Sequence, residues 1–179
     1  MVDREQLGLL LAKAKDLTHH KKFVIVGSLS ILGSTATPPA DMTHSIDVDM
    51  YLRDDPERTE EIDRMLGEGS EFAEEHGYYA DPVSPKLPSL PEDWESRLIP
   101  ISFPDGVVAY FLDPNDAAVA KYARNESRDR RWIRAGISAK IISIATIEQR
   151  MPTARFLDQA EHEKAKFALQ EDIARVGRR

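Results

Sequence analysis

Apolar residues recur at helical spacing over residues 3–19. Leu7, Leu10, Leu11, Ala14 and Leu17 share one face, with Lys and Asp between them. His19-His20-Lys21-Lys22 closes this predicted helix with cations that suit the negative end of its dipole. The period then shortens. Phe23-Val24-Ile25-Val26 is a largely β-branched run stopped by Gly27 and reads as a buried strand. Residues 28–32 fit a short helix or turn, and 33–44 have the composition of a loop. Residues 45–52 alternate: Ile46, Val48, Met50 and Leu52 take one face, and Ser45, Asp47, Asp49 and Tyr51 the other.

A helix is expected from about Pro56 to Met65, with Pro56 in its first turn. Ser70 to Glu75 continues helically and stops at Gly77. Weaker strand patterns cover 78–83, 96–103 and 107–112. Between the first two, residues 82–93 carry Pro82, Pro85, Pro88 and Pro91 and are expected to be mostly loop. After Asp113-Pro114 the chain turns helical: Asn115 to Asn125, Arg130 to Ala135, Ser143 to Gln149 with Ser143 as N-cap, and one long helix from Thr153 onward. That last helix is read either as an exposed bundle member or as an arm for a partner. The chain thus divides into 1–113, a core with the acid-bearing sheet, and 114–179, a helical region. The fold class expected is α/β (α+β), a small mixed sheet flanked by helices.

At 179 residues the chain suits one domain, or one domain with a helical appendage. The net charge of −7 argues against a non-specific nucleic-acid coat or a polybasic membrane anchor. With no Cys, disulfides, zinc–thiolate sites and thiol catalysis are excluded. Neither a signal peptide nor a transmembrane helix is read, and a cytoplasmic location is expected. The charge is uneven. Residues 121–155 hold nine Lys/Arg against three acids, whereas the remainder holds 15 basic and 28 acidic residues. This basic segment is either a solvated face paired with acids elsewhere or a phosphate-facing surface.

Asp47 and Asp49 stand two apart on the best strand, so both carboxylates lie on one face. Like charges this close repel unless a cation sits between them, and hard oxygen ligands suit Mg²⁺. The alternative is a face that is simply wet. Upstream, Gly27-Ser28 follows a buried strand without bulk, so a phosphate can approach the backbone N–H groups and the Ser28 hydroxyl. Together these features describe a site holding a nucleoside triphosphate through metal ions. His44, His76 and His162 are isolated. Trp94 and Trp132 fit either base stacking or core roles.

Val26-Gly27-Ser28, followed by Ser45-Ile46-Asp47-Val48-Asp49-Met50, resembles the signature of the polymerase-beta-like nucleotidyltransferase superfamily. Leu112-Asp113-Pro114-Asn115-Asp116, Lys121, Arg128-Asp129 and Trp132-Ile133 are similar to the block in nucleotidyltransferases that act as toxins in abortive-infection type toxin–antitoxin pairs. The resemblance spans roughly residues 20–137. The chain departs from the pattern in its 18-residue spacer between Ser28 and Asp47, and in carrying Trp132 where a second acid is common. A third carboxylate is also common in the superfamily, and Asp113 is a candidate, although Asp113-Pro114 before a helix reads more readily as ordinary turn and cap chemistry.

The resemblance implies two-metal transfer of a nucleotide from a nucleoside triphosphate to a hydroxyl of tRNA or protein. Asp47 and Asp49 would hold Mg²⁺, with Mn²⁺ able to take its place. Gly27 and Ser28 would cradle phosphate. Lys121 would bind the triphosphate, against the alternative of an exposed helical lysine. Asp129 would position Lys121 or act as a base, and its neighbours Arg128, Arg130 and Arg131 should keep it ionised. A cognate antitoxin is an implied partner. The rival reading is a catalytically inactive regulator on the same fold that binds a nucleotide or a partner.

Overall fold

The computed structural model of the protein describes residues 2–86 and 89–177. Its centre is a five-stranded mixed sheet: β1 (Lys22–Ile25), β2 (Asp47–Leu52), β3 (Tyr79–Pro82), β4 (Ile99–Ser102) and β5 (Val108–Phe111). The strand order is β3-β2-β1-β5-β4. β1 runs antiparallel to β2 and parallel to β5, β2 runs parallel to β3, and β4 runs antiparallel to β5. Helices cover both faces, giving a mixed α+β architecture that matches the expected nucleotidyltransferase fold.

The period of two sorts the strands' side chains into two cores. Phe23, Ile25, Val48, Met50, Ala80, Ala109 and Phe111 face α1 (Arg4–Thr18), α2 (Glu60–Leu66) and α3 (Glu71–His76). The face of α1 that carries Leu7, Leu10, Leu11 and Ala14 is wholly buried here, and an Asp3–Gln6 capping box starts the helix. On the other side, Val24, Val26, Tyr51 and Leu112 pack on Ala117, Ala118, Tyr122, Trp132 and Ile133. Those residues belong to α4 (Pro114–Arg124) and α5 (Ser127–Ser138). α6 (Ile144–Arg150) and α7 (Gln159–Val176) complete this second layer.

Several expected boundaries move. α2 begins at Glu60 and not at Pro56, because the chain first closes two turns, Asp55 N on Leu52 O and Arg58 N on Asp55 O. Ile46 precedes its strand and is half exposed, whereas Tyr51, expected on the polar face, is buried in the second core. α5 is longer than 130–135, since the Glu126–Asp129 capping box starts it early. The long C-terminal helix starts at Gln159 and not at Thr153. Arg155 N donates to Leu90 O, which ties this stretch to the loop after β3, and Asp158 then caps α7 by accepting from Glu161 N. Of the expected loop 82–93, Leu87 and Pro88 lie outside the described residues.

Candidate active site

Because β1 and β2 are antiparallel, the turn leaving β1 lies beside the start of β2. Val26 N donates to Asp49 O at 2.9 Å, which seats Gly27-Ser28 against the two acids. Gly27 adopts φ 64° and ψ −151°, a conformation close to glycine-only. A Cβ there would stand 1.8 Å from Asp49 Oδ2, so the missing side chain is what lets the carboxylate lie on the turn. The long spacer is absorbed by a 3₁₀ turn over Ser28–Gly33 and a second over Ala40–Met42.

The parallel register of β2 and β3 pairs Asp49 with Asp81. Carboxylate oxygens of Asp47, Asp49 and Asp81 all lie within 4.8 Å of one another. Burial, with the charges of Asp47 and Asp81, pushes the Asp49 carboxyl up to about 7 despite Lys121 and Arg124. Burial and then Asp47 raise Asp81 as well. Three hard oxygen donors that resist shared ionisation fit a divalent cation, which removes the repulsion among them. Ser45 donates its hydroxyl to Asp47 Oδ1 and orients that carboxylate.

Asp113, the candidate third carboxylate in the sequence, serves elsewhere. It caps α4 by accepting from Asn115 N at 2.9 Å and binds Arg150 Nη1 at 2.7 Å. Asp81 takes its place in the cluster. Its trace in the sequence is an acid inside a strand pattern, Tyr79-Ala80-Asp81, where Asp is a poor strand former. Only the pairing of β3 with β2 makes that acid a neighbour of Asp49.

Lys121 is buried and donates to Ser28 Oγ at 2.8 Å and to Asp129 Oδ1 at 3.2 Å. Burial lowers its pKa, partly offset by Asp129. It is therefore no exposed helical lysine. Asp129 is fully buried, and burial alone would raise its carboxyl. The Arg124 hydrogen bonds at 2.8 and 2.6 Å, then the Lys121 charge, outweigh that and hold it below the usual carboxylate range. The arginine that holds Asp129 is thus Arg124, whereas Arg128 pairs with Glu126 and Arg130 with Glu171 and Asp172. Trp132 is a core residue whose Nε1 lies 3.1 Å from both Ser28 O and Met42 O, and its ring lies under Lys121 Nζ. It pins the Gly27-Ser28 turn from the position where the family's block often has a second acid.

Gly27, Ser28, Asp47, Asp49, Lys121 and Arg124 share the walls of one cleft of about 360 Å³, within the range of small-ligand pockets. A second cavity of about 260 Å³ also touches Ser28, Ser45, Asp47 and Arg128, and adds Arg131. Much of the basic segment is spent on internal acids. Arg134 binds Asp172, and Arg150 binds Asp113 and Asp116. Arg131 has no acidic partner among the described residues.

A glycine turn and a buried lysine converging on strand-borne acids is the arrangement of a nucleotidyltransferase. A family model described as "Nucleotidyltransferase of unknown function (DUF6036)" matches residues 5–176, nearly the whole chain, and the protein belongs to that family. No curated protein and no solved structure matches the chain. Among the described residues no helix is long and apolar enough to cross a membrane.

Proposed function

We propose that the protein is a metal-dependent nucleotidyltransferase that moves a nucleotide from a nucleoside triphosphate to an acceptor hydroxyl. The observation that carries the reading is the convergence of Asp47, Asp49, the Gly27-Ser28 turn and buried Lys121 on one cleft, with Asp81 clustered beside the two acids. Asp47, Asp49 and Asp81 would hold Mg²⁺ or Mn²⁺. Such a cation, when bound, neutralises charge that develops on the phosphates. Gly27 and Ser28 present backbone and hydroxyl donors to phosphate, and Lys121 supplies a point charge beside them. Asp129, ionised and held by Arg124, positions Lys121 and is a poor proton acceptor. The acceptor oxygen bonds to the α-phosphorus as the bond to the bridging oxygen breaks. The hydroxyl's proton passes to solvent water and pyrophosphate leaves.

The acceptor side fits the second cavity, which meets the donor cleft at Ser28 and Asp47 and carries Arg128 and Arg131. Guanidinium groups there favour an anionic acceptor such as tRNA over a neutral protein side chain. A toxin role with a cognate antitoxin rests on the sequence resemblance alone.

Thermal melts with each of ATP, GTP, CTP and UTP, with and without Mg²⁺, test the donor site. A nucleotide at 100 times its Kd adds about 2.7 kcal/mol, or about 5–11 °C for a chain of this size. The expected shift needs nucleotide and Mg²⁺ together and is lost in Asp47→Asn, which itself folds normally. A shift that survives in Asp47→Asn, or none with any nucleotide, overturns the reading.

A further inference from the structure

We infer that Glu161, held by Ser89, reads the base of the donor nucleotide and selects a base whose edge presents an amino group, guanine above all. This rests on the nucleotidyltransferase reading above. Lys121 and the acids mark the phosphate-binding part of the cleft. Much of the remaining lining is small and apolar: Val83, Leu112, Ala117 and Ala120. Ala117 lies one helical turn, about 6 Å, from Lys121 along α4. Such a lining accepts the face of a planar ring and offers its edge no hydrogen bond. The loop after β3 and the first turn of α7 bring a polar pair, Ser89 and Glu161, into the same cleft.

Glu161 is already fixed in direction. Its Oε2 accepts from Ser89 Oγ at 2.8 Å and from Leu157 N at 2.8 Å. Its own N–H donates to Asp158 Oδ1 at 2.8 Å. Oε1 accepts no hydrogen bond among the described residues. An ionised carboxylate only accepts, so its free oxygen calls for a donor. Guanine places N1–H and N2–H₂ side by side on one edge. Adenine and cytosine each offer one amino group. Uracil flanks its single N3–H with two carbonyl oxygens, and either would face the carboxylate as an unpaired acceptor. A site built to accept a hydrogen bond rejects a ligand that lacks the donor far more strongly than an apolar wall rejects a change of size.

The bland role for Glu161 is capping, since it sits at the third position of α7 with its side chain on a backbone N–H before the cap. Glutamine performs that role equally well, which separates the two. The test is calorimetric binding of α,β-methylene analogues of GTP, ITP, ATP, CTP and UTP to the full chain with Mg²⁺. The expected result is GTP tightest and UTP weakest, at least tenfold apart, with ITP about tenfold weaker than GTP for want of its N2 amino group. In Glu161→Gln the melting temperature stays within a degree or two and the GTP-to-UTP ratio collapses. Equal affinities in the wild type, tighter UTP, or an unchanged ratio in Glu161→Gln overturn the inference and leave the transferase reading standing. Binding of none of the five overturns both.

Discussion

Lys121 Nζ donates to the Ser28 hydroxyl at 2.8 Å across 93 positions of sequence, joining helix α4 to the turn that leaves β1. Through this bond the C-terminal helices meet the acid-bearing sheet at the acid-lined end of the cleft. Lys121→Met keeps the aliphatic stem and removes the charge. Hydrogen bonds to charged groups contribute about 1.5–3 kcal/mol, so triphosphate affinity should fall by about 10- to 150-fold. Lys121→Arg should not restore it, because a planar fork does not fit a buried point-charge site. Calorimetric titration of both variants checks this, and wild-type affinity in Lys121→Met would remove Lys121 from the site.

Asp129 accepts from Arg124, Lys121 and the Glu126 N–H while wholly buried. Asp129→Ala leaves Lys121 buried without its anion. Breaking such a pair costs about 3 kcal/mol or more, which corresponds to a fall in Tm of about 6–12 °C. Thermal melts read it directly. A change under about 2 °C would mean that Arg124 and Lys121 find other partners.

Gly27→Ala forces a Cβ onto Asp49 Oδ2 and strains a backbone at φ 64°. The strain alone costs about 1–3 kcal/mol. Gly69, at φ 75°, has nothing within 4 Å of an added Cβ, so Gly69→Ala carries strain without collision. Both variants should melt lower than the wild type. Only Gly27→Ala should lose the stabilisation conferred by Mg²⁺ and nucleotide, measured as the difference in Tm with and without them.

Unfolded, Asp49 titrates near 3.8; folded, burial and its acidic neighbours bring it up to about 7. The folded chain therefore holds this proton over the interval between. The stability it contributes is complete below the unfolded value and is lost as pH rises through about 7. In the metal-free protein, Tm should fall between about pH 4 and 7 relative to Asp49→Asn, which has no proton to lose. Mg²⁺ competes with that proton, so its stabilisation should grow as pH rises through the same range. Melting curves at five pH values, with and without Mg²⁺, decide it. Parallel wild-type and Asp49→Asn profiles would mean that Asp49 is not the titrating group.

Arg128 and Arg131 flank the second cavity, which also touches Asp47. If they hold an RNA backbone, the affinity for tRNA falls steeply with salt, and Arg128→Gln with Arg131→Gln lowers the slope of log K against log salt by about 1.5–2. The donor-dependent melting shift should not change. A salt slope unaltered by the double variant would move the acceptor elsewhere.

Much of the candidate site was legible along the chain because strand periodicity is a local property. A period of two places Asp47 and Asp49 on one face wherever the strand ends up, and a glycine after a β-branched run marks an open turn. Lys121 and Asp129 entered only through a family resemblance, since eight residues of helix and turn say nothing about what lies 93 positions away.

What sequence alone determined is the short-range order: the amphipathic face of α1, the alternation in β2, the cap at Ser143, the stop at Gly77, and the pairing of two acids. The tertiary structure decided the rest. Strand order made Asp81 the third carboxylate of the cluster, and the helical layer brought Arg150 to Asp113. Long-range ion pairs engage Arg130, Arg134 and Arg150 with acids far along the chain and leave Arg131 without an acidic partner among the described residues. Bonds from Arg155 to Leu90 and from Ser89 to Glu161 tie the stretch around the start of the last helix to the loop after β3, with Glu161 at the cleft. The reason is physical. Propensity and periodicity act over a few residues, whereas a buried charge is stable only beside its counter-charge, and only the folded chain determines which residue that is.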